Sequence, residues 1–534
     1  MRISNKINGL HIILFTFIVF SCEQESPDQH LKYLPKETAG VVSVQLGEIL
    51  KKINYSSIIA TDPIDNFLSE VRREFPRSVY QSLLSPDLLG LDLNSTAYFF
   101  FDEIDVNRKE ISNFGFVIPL QNSDNFKIFY EETIDFFLKN AKSENLKLTK
   151  IIDDNYQYVK IKSYSYNMDE WQDLAVIGCN QEVMLLLVGN PDSRRGGPRW
   201  VEDFQSMIEG SQTDHNFIEK PGIANLKNFD LAVWLDSGVI TGFWDELEDE
   251  IIAFDSRDVI DSYFTVGFSS EIDLIGLNID YYHNDRVQSH YRPNLFKKIG
   301  SALVKQFPND PMMGFGFAFN TDEIVKGIHD KMLSDPELKE QITQLETMTK
   351  ITKEELASFI SGNVLAAIYD FDLRREQAEF VIGAGVNSGK LVELANTMTG
   401  QEFIKINEPV ALSPNISLLV TNDFAFLSSP NFIRSIQKGN DKSTFDSGLP
   451  QKLSNSSFYL FADPEKTIKA MPTSQFGYYE KAIMSAILDL DLGIIDIGQN
   501  YSKTKTSIFI NARTKNTQKN PITSLSETLI KFDF

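Results

Sequence analysis

The cysteine at position 22 closes an N-terminal segment suited to one piece of chemistry, covalent attachment of a lipid. Arg2 and Lys6 supply positive charge, and residues 12–20 supply a short apolar run. Val19-Phe20-Ser21-Cys22 then sets a small residue directly before a thiol. The run is shorter than the roughly 20 residues a membrane-spanning helix needs, and its flanks suit a cleaved signal. An ordinary secretory signal would end in a small-x-small site, which Phe20-Ser21-Cys22 lacks. Residues 1–21 therefore read as a lipoprotein signal peptide, with Cys22 as the lipid-attachment residue.

Other reactive groupings read as structural. Gly383-Ala-Gly-Val-Asn-Ser-Gly389-Lys390 follows a strand and opens a helix, as a phosphate loop would. Its glycine spacing is wrong, however, and Leu391 stands where magnesium needs a hydroxyl. A capped helix start is the simpler reading. His283, Asp285 and His290 resemble a metal cluster only loosely. They follow a strand, and no histidine pair has the i, i+4 spacing of a zinc helix. Asp245-Glu-Leu-Glu-Asp-Glu250 reads as the solvated face of a helix whose apolar face is Leu247, Ile251 and Phe254. Arg194-Arg-Gly-Gly-Pro-Arg199 reads as an exposed basic turn. Cys179 ends an apolar strand with no histidine near in sequence, which suits a buried, inert thiol. No nucleophile elbow is present, and 74 carboxylates are too many to single out a hydrolytic pair. The sequence thus points to no catalytic, cofactor-binding or metal-binding residue.

Composition narrows the partners. Removal of the signal leaves 513 residues, more than one hydrophobic core usually spans. Hydrophobic residues make up 42% of the chain and include 40 Phe, enough for large packed cores. The formal charge is −23, or −25 once Arg2 and Lys6 are gone. Phosphate backbones and anionic headgroups repel such a chain, so no nucleic acid is expected as partner. Attachment to a membrane would run through the N-terminal lipid alone.

The elements that would position any site follow a recurring pattern: an alternating strand, a turn residue, then a helix start. It occurs at Gly40 to Leu46, Phe229 to Leu235, Gly314 to Phe319 and Ser457 to Phe461. Asn320 with Glu323 suggests a capping box, and Asp463 before Pro464 suggests an N-cap with proline in the first turn. Between these units, residues 95–130 and 363–398 share a strand, charged turn, strand and helix. The hairpins at Leu174 to Val188 and Ile416 to Leu427 also correspond. The expected fold class is α+β: two tandem related halves, 31–295 and 300–518, each of mainly antiparallel meander sheets covered by helices. A generic α+β rhythm without common ancestry fits the same pattern. An acidic tether over 22–34, about 40 Å long at roughly 3.3–3.6 Å per extended residue, would precede the halves. A tail over 519–534 would follow them; its closing Ile530-Lys-Phe-Asp-Phe534 alternates, but the helical stretches of the body argue against a barrel. The connector Asn294 to Phe307 is the expected place for a binding surface, since domain junctions favour clefts.

The lipobox, Leu34-Pro35 ahead of a Val-rich strand, and Leu89-Gly-Leu-Asp92 ahead of a second strand carry a resemblance. The chain resembles an uncharacterised family of Bacteroidota lipoproteins of about 500 residues, defined only as a domain of unknown function. The resemblance implies no activity, cofactor or catalytic residue. Acidic residues after the lipidated cysteine (Glu23, Glu25 and Asp28 here) resemble a surface-display signal of Bacteroidota lipoproteins. The expected location is the outer membrane, lipid-anchored, with the cell surface favoured over the periplasmic face. The expected role is a non-enzymatic envelope protein that binds or scaffolds an envelope protein or polymer. The alternative is an envelope hydrolase acting on glycan or peptide through carboxylates the sequence does not identify.

Overall fold

The protein is described from a computed structural model covering most of residues 28–520. The longest interior stretches outside that description are 190–200, 240–258 and 439–448. Two compact units emerge, one of Met1–Lys51 with Tyr55–Phe254, the other of Lys52–Asn54 with Asp255–Phe534.

In the first unit, strands form where period-2 apolar alternation and β-branched or aromatic residues coincide. They are β1 (Gly40–Val44), β2 (Ala97–Phe101), β3 (Ile104–Asp105), β4 (Glu110–Ile111) and β5 (Asn113–Pro119). Then come β6 (Leu146–Ile152), β7 (Gln157–Ser165), β8 (Glu170–Cys179), β9 (Val183–Gly189) and β10 (Leu231–Asp236). Antiparallel pairing runs β10–β1–β2–β5–β9–β8–β7–β6, and β3 with β4 forms a separate two-stranded ribbon. Val41, Tyr98, Phe100, Val117, Leu185 and Leu187 are buried along one face. On the other, the helix Ser123–Asn140 lays Phe126, Tyr130 and Ile134 against Val159 and Cys179.

The second unit holds β11 (Tyr263–Ser270), β12 (Leu274–Tyr282), β13 (Met313–Ala318), β14 (Ile360–Asp372), β15 (Gln377–Val386) and β16 (Val410–Ser413). It continues with β17 (Ile416–Val420), β18 (Phe424–Ser428), β19 (Phe458–Ala462), β20 (Leu492–Tyr501) and β21 (Lys505–Thr514). Here the order is β11–β12–β21–β20–β19–β13–β14–β15–β18–β17–β16, antiparallel throughout. Its core joins Leu365, Val381, Phe426, Tyr459 and Phe461 from the strands to Leu303, Ile433, Ile436 and Leu453 from helices. Gly314 and Gly383 keep this face flat enough for rings, because a Cβ at either would meet Phe461 or Phe426 at 2.9 Å.

Two expectations are corrected. The fold is not two tandem α+β halves divided near residue 295. Nineteen of the strands lie in antiparallel sheet, and strand outweighs helix, 40% against 37%. The cause is non-local pairing: β12 lies along β21 from Leu274↔Arg513 to Tyr282↔Lys505, so β11 and β12 join the second unit. Periodicity finds strands but cannot see a partner more than two hundred residues away. Nor do residues 29–34 belong to a free tether. Gln29–Tyr33 forms a 3₁₀ helix, with Leu31, Tyr33 and Leu34 buried.

Candidate functional site: an apolar sheet face

Several residues singled out by sequence lie outside the described residues: Cys22, Arg194 to Arg199, Asp245 to Glu250, His290 and 530–534. The glycine-rich segment is no loop at all. Gly383 and Gly385 lie inside β15, and Asn387 caps the helix Ser388–Thr399, its Oδ1 accepting from the Lys390 N–H at 3.3 Å. His283, just past β12, is buried. Its Nδ1 lies 2.9 Å from the Lys503 carbonyl oxygen and its Nε2 2.8 Å from Thr506 Oγ1, so both ring nitrogens are engaged. No group of three His, Cys, Asp or Glu among the described residues could hold a metal. Nor is any helix there long and apolar enough to cross a membrane. Cys179 is fully buried, with Gln157 Nε2 4.0 Å from its sulfur. Burial pushes its thiol pKa up. In the connector expected to offer a binding surface, Ile299, Leu303, Val304 and Phe307 are about 1% exposed or less, while Phe296 is 45% exposed.

The distinctive surface lies on the second unit's sheet. Residues directly opposite in an antiparallel ladder share a face. One such row runs Phe268, Leu277, Ile510, Ile497, Leu460, Phe315, Ala366 and Ile382, across eight strands from β11 to β15. The row two residues to one side begins at Ser270 and Ile275 and ends at Met313, Ile368 and Phe380. The row on the other side begins at Val266 and Ile279 and ends at Phe317, Val364 and Ala384. Of these 24 positions only Ser270 and Gln499 are polar.

An antiparallel sheet with one packed face ordinarily turns polar residues outward on the other. On β13, β14, β15 and β19 both faces are apolar. The core side is closed by helices, yet Phe315 is 43% exposed, Ile382 40% and Leu460 38% on the opposite side. These three side chains are cross-strand neighbours or nearly so, and they meet in a cavity of about 430 Å³. Met313, Ile368 and Phe380 complete its wall, and no charged or hydrogen-bonding side chain lines it. Along β13 the rings of Phe315, Phe317 and Phe319 stack nearly parallel, at 1° and 12° between successive planes. Contiguous apolar surface left facing solvent marks an interaction site.

The sequence reading missed this face, although a signal was present. Met313 to Ala318, Val364 to Ile368 and Phe458 to Ala462 are apolar at nearly every position rather than at alternate ones. Such runs mark strands covered on both sides. What the site can do is bind hydrocarbon. It offers no nucleophile, acid, base or ligand atom, and its favourable term is the transfer of apolar surface from water. The chain matches no family model, no curated protein and no solved structure.

Proposed function

We propose that this protein is an envelope lipoprotein of the Bacteroidota kind. It has no catalytic role, and it holds the hydrocarbon part of a lipid on the second unit's apolar face. The observation that carries the reading is the eight-strand apolar row with Phe315, Ile382 and Leu460 about two-fifths exposed at its centre. A glycan, peptide or nucleic acid would find no hydrogen-bond partner in the cavity and would leave its own polar groups unsatisfied there. The N-terminal segment ending at Cys22 supports attachment to the outer membrane, with the cell surface favoured over the periplasmic face. In that position the protein meets lipids routinely, either carrying them or presenting them to another envelope component.

The test is equilibrium binding of a fluorescent fatty acid to the purified mature chain. Saturable binding should weaken at least tenfold in Phe315→Asp, because a carboxylate in the cavity must be desolvated or must exclude the chain. The substitution should leave far-UV circular dichroism unchanged. Absence of saturable binding, or binding indifferent to both Phe315→Asp and Ile382→Asp, would overturn the assignment.

A further inference from the structure

We infer that the ligand of this face is a lipid with two or more acyl chains laid along the strands, rather than a single fatty acid. The inference rests on reading the face as a hydrocarbon site and adds the number of chains. Three rows two residues apart span four residues along each strand, about 14 Å at ~3.4 Å per residue. One leaflet of a bilayer is about 15 Å of hydrocarbon, half of the ~30 Å core. Across the strands, eight positions span about 34 Å at ~4.8 Å per step. The face is therefore as deep as one acyl chain is long, and as broad as several chains side by side.

The chemistry agrees with the dimensions. The two polar positions, Ser270 and Gln499, fall in the outer rows, so the middle row is apolar from β11 to β15. A charged headgroup set against that row would be buried without a partner, so it must lie beyond an end of the strands. Flexible chains also suit a twisted surface. Neighbouring strands rotate by roughly 20–25°, which over seven steps accumulates to about 150°. A rigid second copy of the same face cannot follow such a twist over its full width, whereas separate chains follow it strand by strand.

Native mass spectrometry of the purified mature chain, produced without its own lipid, tests the inference with palmitic acid and dipalmitoyl phosphatidylethanolamine as probes. At least two palmitates should bind per chain, and one diacyl molecule should displace two or more of them. Leu277→Asp, on β12 and outside the cavity wall, should weaken diacyl binding at least tenfold while leaving one palmitate bound. A single palmitate, displaced one for one or not displaced, overturns the multi-chain inference and leaves the hydrocarbon reading intact. Failure of both probes overturns that reading and this inference together. A dimer that Phe315→Asp splits into monomers, with neither probe bound, assigns the face to a second copy and also overturns both.

Discussion

Asp28 and His30 show how single residues fasten the first turn of 3₁₀ helix. The Asp28 carboxylate accepts from the His30 backbone N–H at 2.8 Å and lies 2.9 Å from its Nδ1. Burial alone would raise the Asp28 pKa, but the hydrogen bonds from His30 outweigh it and hold the carboxyl below its usual range. Glu182, bonded by Lys32 Nζ at 2.7 Å and by the Tyr33 hydroxyl at 2.8 Å, is held down as well. Both folded-state values are depressed, so the stabilisation is complete above the unfolded range of about 4 and is lost as pH falls through the folded values. Acidification from pH 5 to pH 3 should lower the protection of the amides of residues 28–34 relative to their intrinsic exchange rates, and Asp28→Asn should remove most of that dependence. A segment equally protected at both pH values would contradict this. Cys179 gives a second prediction at this scale. Buried, with its pKa raised, it should react with thiol reagents far more slowly in the native protein than after unfolding. Native labelling at an exposed-thiol rate would show the packing to be otherwise.

Among the elements, β14 and β20 carry the sharpest constraints. β14 is irregular between Ile360 and Val364, where Gly362 adopts a φ of +83°. A Cβ there would sit 1.8 Å from the Phe319 carbonyl oxygen, so both conformation and space require glycine. Gly362→Ala should cost more than about 1 kcal/mol, read as a lower denaturation midpoint. On β20, Asp496 is almost wholly buried on the core side, held by Lys452 Nζ and by Asn511 Nδ2 at 2.7 Å. Lys452→Met strands that carboxylate, at a cost of about 3–5 kcal/mol. The double change Lys452→Met with Asp496→Leu should recover much of the loss. If the single change is neutral in chemical denaturation, the pair does not hold the helix Leu449–Asn455 to the sheet. Part of this was legible in the sequence. Asp463 does cap the helix Pro464–Ala470, accepting from the Lys466 N–H at 3.0 Å. The full capping box lies instead at Thr352 with Glu355, where no strand cue drew attention to it.

At the scale of the whole molecule, anchoring and binding are separable proposals. Cys22→Ala should leave an unprocessed or soluble envelope form, since one thiol would carry the lipid. Intact-mass analysis of the native protein showing no acyl mass would refute the anchor. Because the apolar face is built entirely from the second unit, the unanchored form should bind fatty acid with unchanged affinity. A strong loss of binding in Cys22→Ala would mean that the face depends on the attached lipid.

What the sequence determined by itself was local. Strands at Gly40, Leu231, Met313 and Phe458 follow from alternation over a few residues, and the helix start after Asn387 follows from a side chain bonding three residues on. These depend on neighbours in the chain, which a single sequence displays directly. Pairing does not. That Leu277 stands beside Ile510, and Leu460 between Ile497 and Phe315, depends on which distant strands meet, and every apolar strand is compatible with many others. The apolar face is therefore a tertiary property. Each strand contributes two or three ordinary apolar residues, and only their common register joins them into one surface that the core leaves uncovered.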